Sequence, residues 1–401
     1  MKEKKIAIVT TSFYPNTGAG NRRVTNLAKN LAENGFKVSI ITLGNKESTG
    51  FETDREEVKK LTEFHNVEIV RFPYTKMNKY ITFILKAARK YMMWDPYLDW
   101  VIINKLKIER FIMNEGIENL FITSPSYAVQ LIGLDLKMRH KNVSWIADFR
   151  DPWTGNSYHN HNRLKSVFIN YYELRFLQRS DKVTVISDGM KEFYKSMTLE
   201  NKIVVIYNGF DGEEKLDCKK QKTDNSKNIV YTGITYKDRE RALASFVKVL
   251  CENLECKIGD NDLVFKIAGM VSKDIERLLR EKMPRNHQYS GFVSLKESLC
   301  MQKNADLLIL PIGSKLEITS KIYEYLATEN PILCIMKEKN EELERILIKT
   351  RAGKAVMFDD TDAIIQAVSM LLGGEMKRNM EEVEKFNYKN ITQKLITLLR
   401  R

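Results

Sequence analysis

From Leu307 to Ile335 the chain reads LLILPIGSKLEITSKIYEYLATENPILCI, which parses as strand, loop, helix, turn and strand. Leu307 to Leu310 is a short continuous apolar run, the pattern of a strand covered on both faces and so of a parallel sheet. Gly313 and Ser314 open a loop. Thr319 or Ser320 is placed to cap the next helix by accepting a bond from its free N–H groups. Ile322 and Leu326, four apart, face one way, and Asn330-Pro331 stops the helix before the second strand.

Lys321 falls in the first turn, where unpaired N–H groups and the helix dipole disfavour a cation. A bound anion, usually phosphate, reverses that balance. Glu324 lies three residues on, on the same face, and a carboxylate there can accept bonds from two neighbouring sugar hydroxyls. Together they predict one helix start that grips a diphosphate at Lys321 and a sugar at Glu324. The alternative is an ordinary surface Lys–Glu pair, worth ~0.2–0.5 kcal/mol.

The surrounding 401 residues suffice for ~2–3 domains, each with its own core. A formal charge of +13 implies attraction to polyanions: acidic membrane, phosphorylated ligands or nucleic acid. No aromatic–basic RNA motif or helix-turn-helix pattern supports nucleic acid, which is set aside. No apolar run reaches the ~18–20 residues of a membrane span. The opening MKEKKIAIVTTSF is too short in its apolar part for a secretory signal and reads as a first strand. The five cysteines (Cys218, Cys251, Cys256, Cys300 and Cys334) show no zinc or disulfide spacing, and a reducing cytoplasm fits them.

The first half alternates strands and helices. Lys5 to Thr11 is a strand, Val24 to Asn34 a helix and Lys37 to Leu43 a second strand, a βαβ unit that builds a parallel sheet. The loop after the first strand of such a sheet is where ligands bind. It holds Gly18-Ala19-Gly20, whose backbone can approach a phosphate or sugar closely. A dinucleotide fingerprint needs a third glycine where this chain has Arg23, so hydride transfer is rejected. Between Lys76 and Trp94 there is no acid, while basic residues and a helical apolar period coincide. This reads as a basic amphipathic helix for an anionic membrane, or as an ordinary surface helix. Val143 to Ala147 is a strand running into Asp148-Phe149-Arg150-Asp151-Pro152-Trp153, with Asp148 and Arg150 pointing the same way as ligand-facing charges or as a structural salt-bridge network. His159 and His161 alone are weak evidence for a metal.

Gly212 to Lys227 has no apolar period and reads as a linker. Beyond it the pattern repeats: Asn228 to Thr232 and Leu263 to Ala268 are strands, and Lys237 and Arg239 place positive charge just after Gly233. Two βα domains are expected, with a helical tail from Met376 to Arg401.

In order, the segments SFYPNTGAGNRRV, DFRDPW, VTVISDGM, IYNGFD, YTGIT and SKIYEYLATENPIL resemble the GT-B glycosyltransferases, particularly family 4 of the retaining enzymes. The resemblance spans almost the whole chain. It implies an α/β fold of two Rossmann-like domains facing across a cleft. Residues 1–210, with a C-terminal helix at about 376–401 crossing back, would bind the acceptor, and residues 211–375 the nucleotide sugar. By position, Glu324 matches the family's second motif glutamate, which holds the nucleotide ribose, and Thr319, Ser320 and Lys321 match the helix start at the diphosphate. Gly18 and Gly20, with Ala19 and Arg23 beside them, match the glycine loop near phosphate and acceptor. Asp148 matches the position beside the reacting sugar. The first motif glutamate would fall at Leu316, with Glu317 next to it, and the usual arginine after Gly233 is Ile234. Lys237, Arg239 or Lys321 must then carry that charge.

The implied reaction moves a sugar from a nucleoside diphosphate sugar to a hydroxyl of a surface-glycan or lipid-linked acceptor. It uses no metal and no further cofactor, and it retains configuration. Asp148 and Arg150 would orient acceptor and donor sugar, in the cytoplasm or at the inner face of the membrane. The alternatives are a sugar-nucleotide epimerase on the same scaffold and a degenerate, non-catalytic homologue that binds a partner.

Overall fold

The structure is a computed structural model that describes residues 3–14, 19–44, 64–73, 95–155, 163–212, 218, 226–235, 238–374 and 376–399. Gly18, Lys237, the His159–His161 pair and the basic stretch at 76–94 lie outside the described residues, as does most of the expected linker.

Two compact units form, one from residues 1–208 and 388–401, the other from residues 209–387. The first contains β1 (Lys4–Val9), α1 (Ala19–Glu33), β2 (Phe36–Leu43), β3 (Val67–Phe72), α2 (Leu98–Asn114), β4 (Asn119–Ser124), α3 (Gln130–Arg139), β5 (Ser144–Phe149), α4 (Arg163–Arg179), β6 (Lys182–Val185), α5 (Asp188–Lys195) and β7 (Ile203–Val205). Its strands pair in parallel in the order β3-β2-β1-β4-β5-β6-β7. Successive β1 side chains serve opposite faces, as the period of two requires. Ile6 and Ile8 join Val24, Leu27 and Leu31 of α1, while Ala7 and Val9 join Trp100, Leu120 and Trp145. β4 and β5 are buried at every position, covered on both faces as central parallel strands are, and they bury the polar Asn119, Thr123, Ser124, Ser144 and Asp148 along with their apolar residues. Periodicity did not predict α3, because its apolar residues leave no clear stripe to read.

The second unit contains β8 (Ser226–Ile234), α6 (Asp238–Glu252), β9 (Lys257–Ile258), β10 (Asn261–Met270), α7 (Lys273–Lys282), β11 (His287–Tyr289), α8 (Leu295–Lys303), β12 (Leu307–Ile312), α9 (Lys321–Leu326), β13 (Ile332–Met336), α10 (Glu341–Thr350), β14 (Gly353–Met357), α11 (Thr361–Gly373) and α12 (Met380–Glu384). The order is β11-β10-β8-β12-β13-β14, parallel, with β9 antiparallel on β10. The strand order reverses between β8 and β12, and such a switch point opens a crevice at the strands' C-terminal ends.

The expected C-terminal helix divides. Residues 376–387 stay with the second unit, where Phe386 packs against Tyr323 at 5.2 Å and the Asn379 N–H donates to the Thr350 carbonyl. Only α13 (Tyr388–Leu398) belongs to the first unit, burying Tyr388, Ile391 and Leu395 beside α1. The cysteine spacing suggested no disulfide framework, yet Cys218 and Cys300 form a disulfide, with Cα atoms 5.3 Å apart. The two are 82 residues apart, so no local spacing signals the bond.

Candidate active site

The opening stretch folds as β12, a loop, α9 and β13, and it lies at the switch point of the second sheet. The cap differs from expectation. Ser320 occupies the N-cap position with helical backbone and no side-chain capping bond, and Thr319 Oγ1 accepts from the Lys321 N–H at 3.4 Å. The loop is fixed instead by Asn340, whose amide donates to the Glu317 carbonyl at 2.9 Å.

Lys321 and Glu324 meet one turn apart, Nζ to Oε2 at 2.7 Å. Glu324 is buried, and so is the amide of Gln302 on α8, whose Nε2 donates to the same carboxylate at 3.0 Å and contacts Thr232 Oγ1 of β8 at 2.8 Å. Tyr325 closes the cluster from α9. Its hydroxyl accepts from the Thr232 N–H at 3.2 Å, and burial pushes its phenol up to about 12, so it stays protonated. Gln302 was not among the residues expected at this site, because nothing local distinguishes it. Only the passage of α8 over β8 brings it to Glu324.

Glu317 and Arg239, both expected to bind the donor, bind each other. The guanidinium Nε donates to Glu317 Oε1 at 2.5 Å, and Oε2 accepts from the Gly313 N–H at 2.9 Å. Backbone crowding next to this pair is severe. A Cβ on Gly269 (φ +118°) would lie 1.9 Å from the Gly233 carbonyl oxygen, so the ends of β8 and β10 meet main chain to main chain.

In the first unit the expected glycine loop is already helical at Ala19, so Gly20 belongs to the first turn of α1. The Arg150 guanidinium lies directly on it; a Cβ there would fall 1.9 Å from the Arg150 nitrogen. Arg150 Nε donates to the Ser124 carbonyl at 2.9 Å and its second nitrogen to that of Pro125 at 3.1 Å, and burial lowers its pKa below the usual arginine value. This arginine at the N-terminus of α1 is suited to receiving an anion.

Asp148 and Arg23 meet in the core of the first unit. Both are fully buried and face each other, with Arg23 donating to the two carboxylate oxygens at 3.3 and 2.9 Å. Thr123 and Thr184 hydroxyls donate to the same carboxylate at 2.7 Å each. The rest of the Arg23 guanidinium reaches Ile206, Tyr207 and Asn208 at 2.8 to 3.2 Å. All five N–H donors of Arg23 are thereby used within the first unit. Asp148 fills the structural alternative, a salt-bridge network under the sheet's ligand end. Glu173 of α4, also unexpected from the sequence, holds the DPW segment. It accepts from the Trp153 N–H at 2.7 Å, the Thr154 N–H at 3.2 Å, the Thr154 hydroxyl and the Tyr194 hydroxyl at 2.7 Å.

Known proteins agree with this architecture. Residues 20–214 match the sequence model of Glycosyltransferase Family 4, covering most of the first unit. No curated protein sequence matches the chain. Among solved structures, the sucrose-phosphate synthase of Thermosynechococcus elongatus superposes with a TM-score of 0.69 at 14% identity, covering 98% of both chains. A glycosyltransferase from Rickettsia africae gives 0.68 at 15%, covering 99% of this chain and 98% of that one. Anabaena HepE in complex with UDP and glucose gives 0.66 at 11%, covering 98% of both. At these identities the superpositions carry the fold alone. The fold is GT-B, and with the Family 4 match over residues 20–214 the class is glycosyltransferase.

Proposed function

We propose that this chain transfers a glycosyl group from a nucleoside diphosphate sugar to a hydroxyl of a surface-glycan or lipid-linked acceptor. The reading includes retention of configuration, no metal, and work in the cytoplasm at the inner face of the membrane. The observation that carries it is the buried Glu324 carboxylate at the switch point, oriented by Gln302 and paired with Lys321. Such a carboxylate would take ribose hydroxyls, and Lys321 would turn from Glu324 to a diphosphate. Lys321 with Arg239 would then stabilise the leaving diphosphate by charge, the main demand of a metal-free transfer. Arg150 and the first turn of α1, with Gly20 leaving room, would serve the acceptor or a phosphate.

Calorimetry against UDP-, GDP-, dTDP- and CMP-sugars tests the reading. UDP-glucose comes first, since HepE was solved with it. The wild-type chain should bind one of them, and Glu324→Ala should weaken that binding by roughly tenfold or more. Lys321→Ala should chiefly lower turnover. Absence of any nucleotide binding would favour the second reading, a binding-only homologue in which both ion pairs are structural. The closed Arg239–Glu317 pair is the observation on that side.

A further inference from the structure

Helix α4 is apolar on two sides. Inward it buries Ile169, Phe176 and Leu177. Outward, at spacings of three and four, Leu164, Val167 and Tyr171 are 66%, 63% and 50% exposed. Among the described residues nothing covers this outward stripe, and such an exposed apolar face is the mark of a surface that takes a partner.

The charges around the stripe identify that partner. Arg163 lies on one flank, Arg175 and Arg179 on the other, and Lys165 is on the same helix. The helix has one acid, Glu173, which is turned inward and held by four donors. Among the described residues none of Arg163, Arg175 and Arg179 is in an ion pair. Arg175 lies over the Tyr171 ring at 5.4 Å from its centroid and donates to its hydroxyl at 2.6 Å, holding that ring at the edge of the stripe. A second copy docking face to face would set these arginines against their own kind. An apolar stripe between arginine flanks fits a bilayer interface, with side chains in the acyl boundary and guanidiniums at phosphate depth.

We propose that α4 is a docking face for a lipid bilayer rich in anionic phospholipid. It is distinct from the basic stretch at 76–94, and it stands whether or not the transferase reading holds. The full-length chain is sedimented with vesicles of phosphatidylcholine, or of phosphatidylcholine with about 30% phosphatidylglycerol. Binding to the mixed vesicles only, weakened by salt, is expected. Leu164→Glu/Val167→Glu and Arg163→Glu/Arg179→Glu should each lower partitioning by about tenfold or more at an unchanged melting temperature, all four sites being on the surface. Three results would overturn the proposal: no binding by the wild type, equal binding by both variants, or a wild-type dimer in sedimentation equilibrium that both variants abolish.

Discussion

Arg23 and Asp148 have no solvent on either side, so removing one leaves the other's charge uncovered. Truncating one partner of such a buried pair costs roughly 3–5 kcal/mol. Asp148→Ala should therefore lower stability by that amount in urea denaturation. A variant of wild-type stability with lost turnover would instead return Asp148 to chemistry. Gln302 makes the opposite kind of prediction. Gln302→Glu sets a second carboxylate at the 3.0 Å contact with Glu324, and like charges so close oppose ionisation of both. The variant should be destabilised and bind its nucleotide poorly at about pH 8, with both recovering towards about pH 5, where a carboxyl takes up a proton. Melting temperature and calorimetry across that range check it; a flat profile would remove Gln302 from contact with Glu324. Residue type and spacing made Lys321 and Glu324 legible. Gln302 stayed hidden because its partner lies 22 positions away on another element.

Between elements, the Asp148–Thr154 segment is held by α4. Glu173 fastens its end, and Trp153 stacks on Tyr127 at 4.7 Å and on Phe176 at 6.3 Å. Burial raises the Glu173 pKa above the usual carboxylate range, outweighing its four hydrogen-bond donors. The folded chain thus keeps a proton that the unfolded chain has released. Glu173's contribution is full below the ordinary glutamate value of ~4.3 and declines as pH rises through its own raised value. Glu173→Gln, which leaves one Thr154 donor without an acceptor, should cost about 1–3 kcal/mol. The deficit should be largest at low pH and narrow as pH rises; thermal melts of both proteins across that range would show it, and a deficit that widens would contradict it. Elements with one clear stripe or an unbroken apolar run, such as β12 and α1, were legible in sequence. The outward stripe of α4 was not legible, because burial and not spacing decides which of its two apolar sides meets solvent.

At the scale of the whole chain, all four tryptophans lie between residues 94 and 153, in the first unit, whereas the disulfide lies in the second. The bond closes a loop of 82 residues, worth ~4 kcal/mol by its constraint on the unfolded chain. Reduction, or Cys218→Ser/Cys300→Ser, should lower the urea midpoint seen by circular dichroism more than that seen by tryptophan fluorescence. Equal midpoints with and without reductant would mean that the bond is not formed in solution.

The sequence by itself determined the alternation of buried strands and helices, the two βα units and the Lys321–Glu324 pair, because these follow from periods of two and 3.6 and from neighbours within a turn. Tertiary structure decided which charges are available. It enclosed Arg23 with Asp148, paired Arg239 with Glu317, set Gln302 under Glu324, joined Cys218 to Cys300 and left Leu164, Val167 and Tyr171 in solvent. Each depends on desolvation or contact between residues far apart in the chain, and no local pattern encodes those distances.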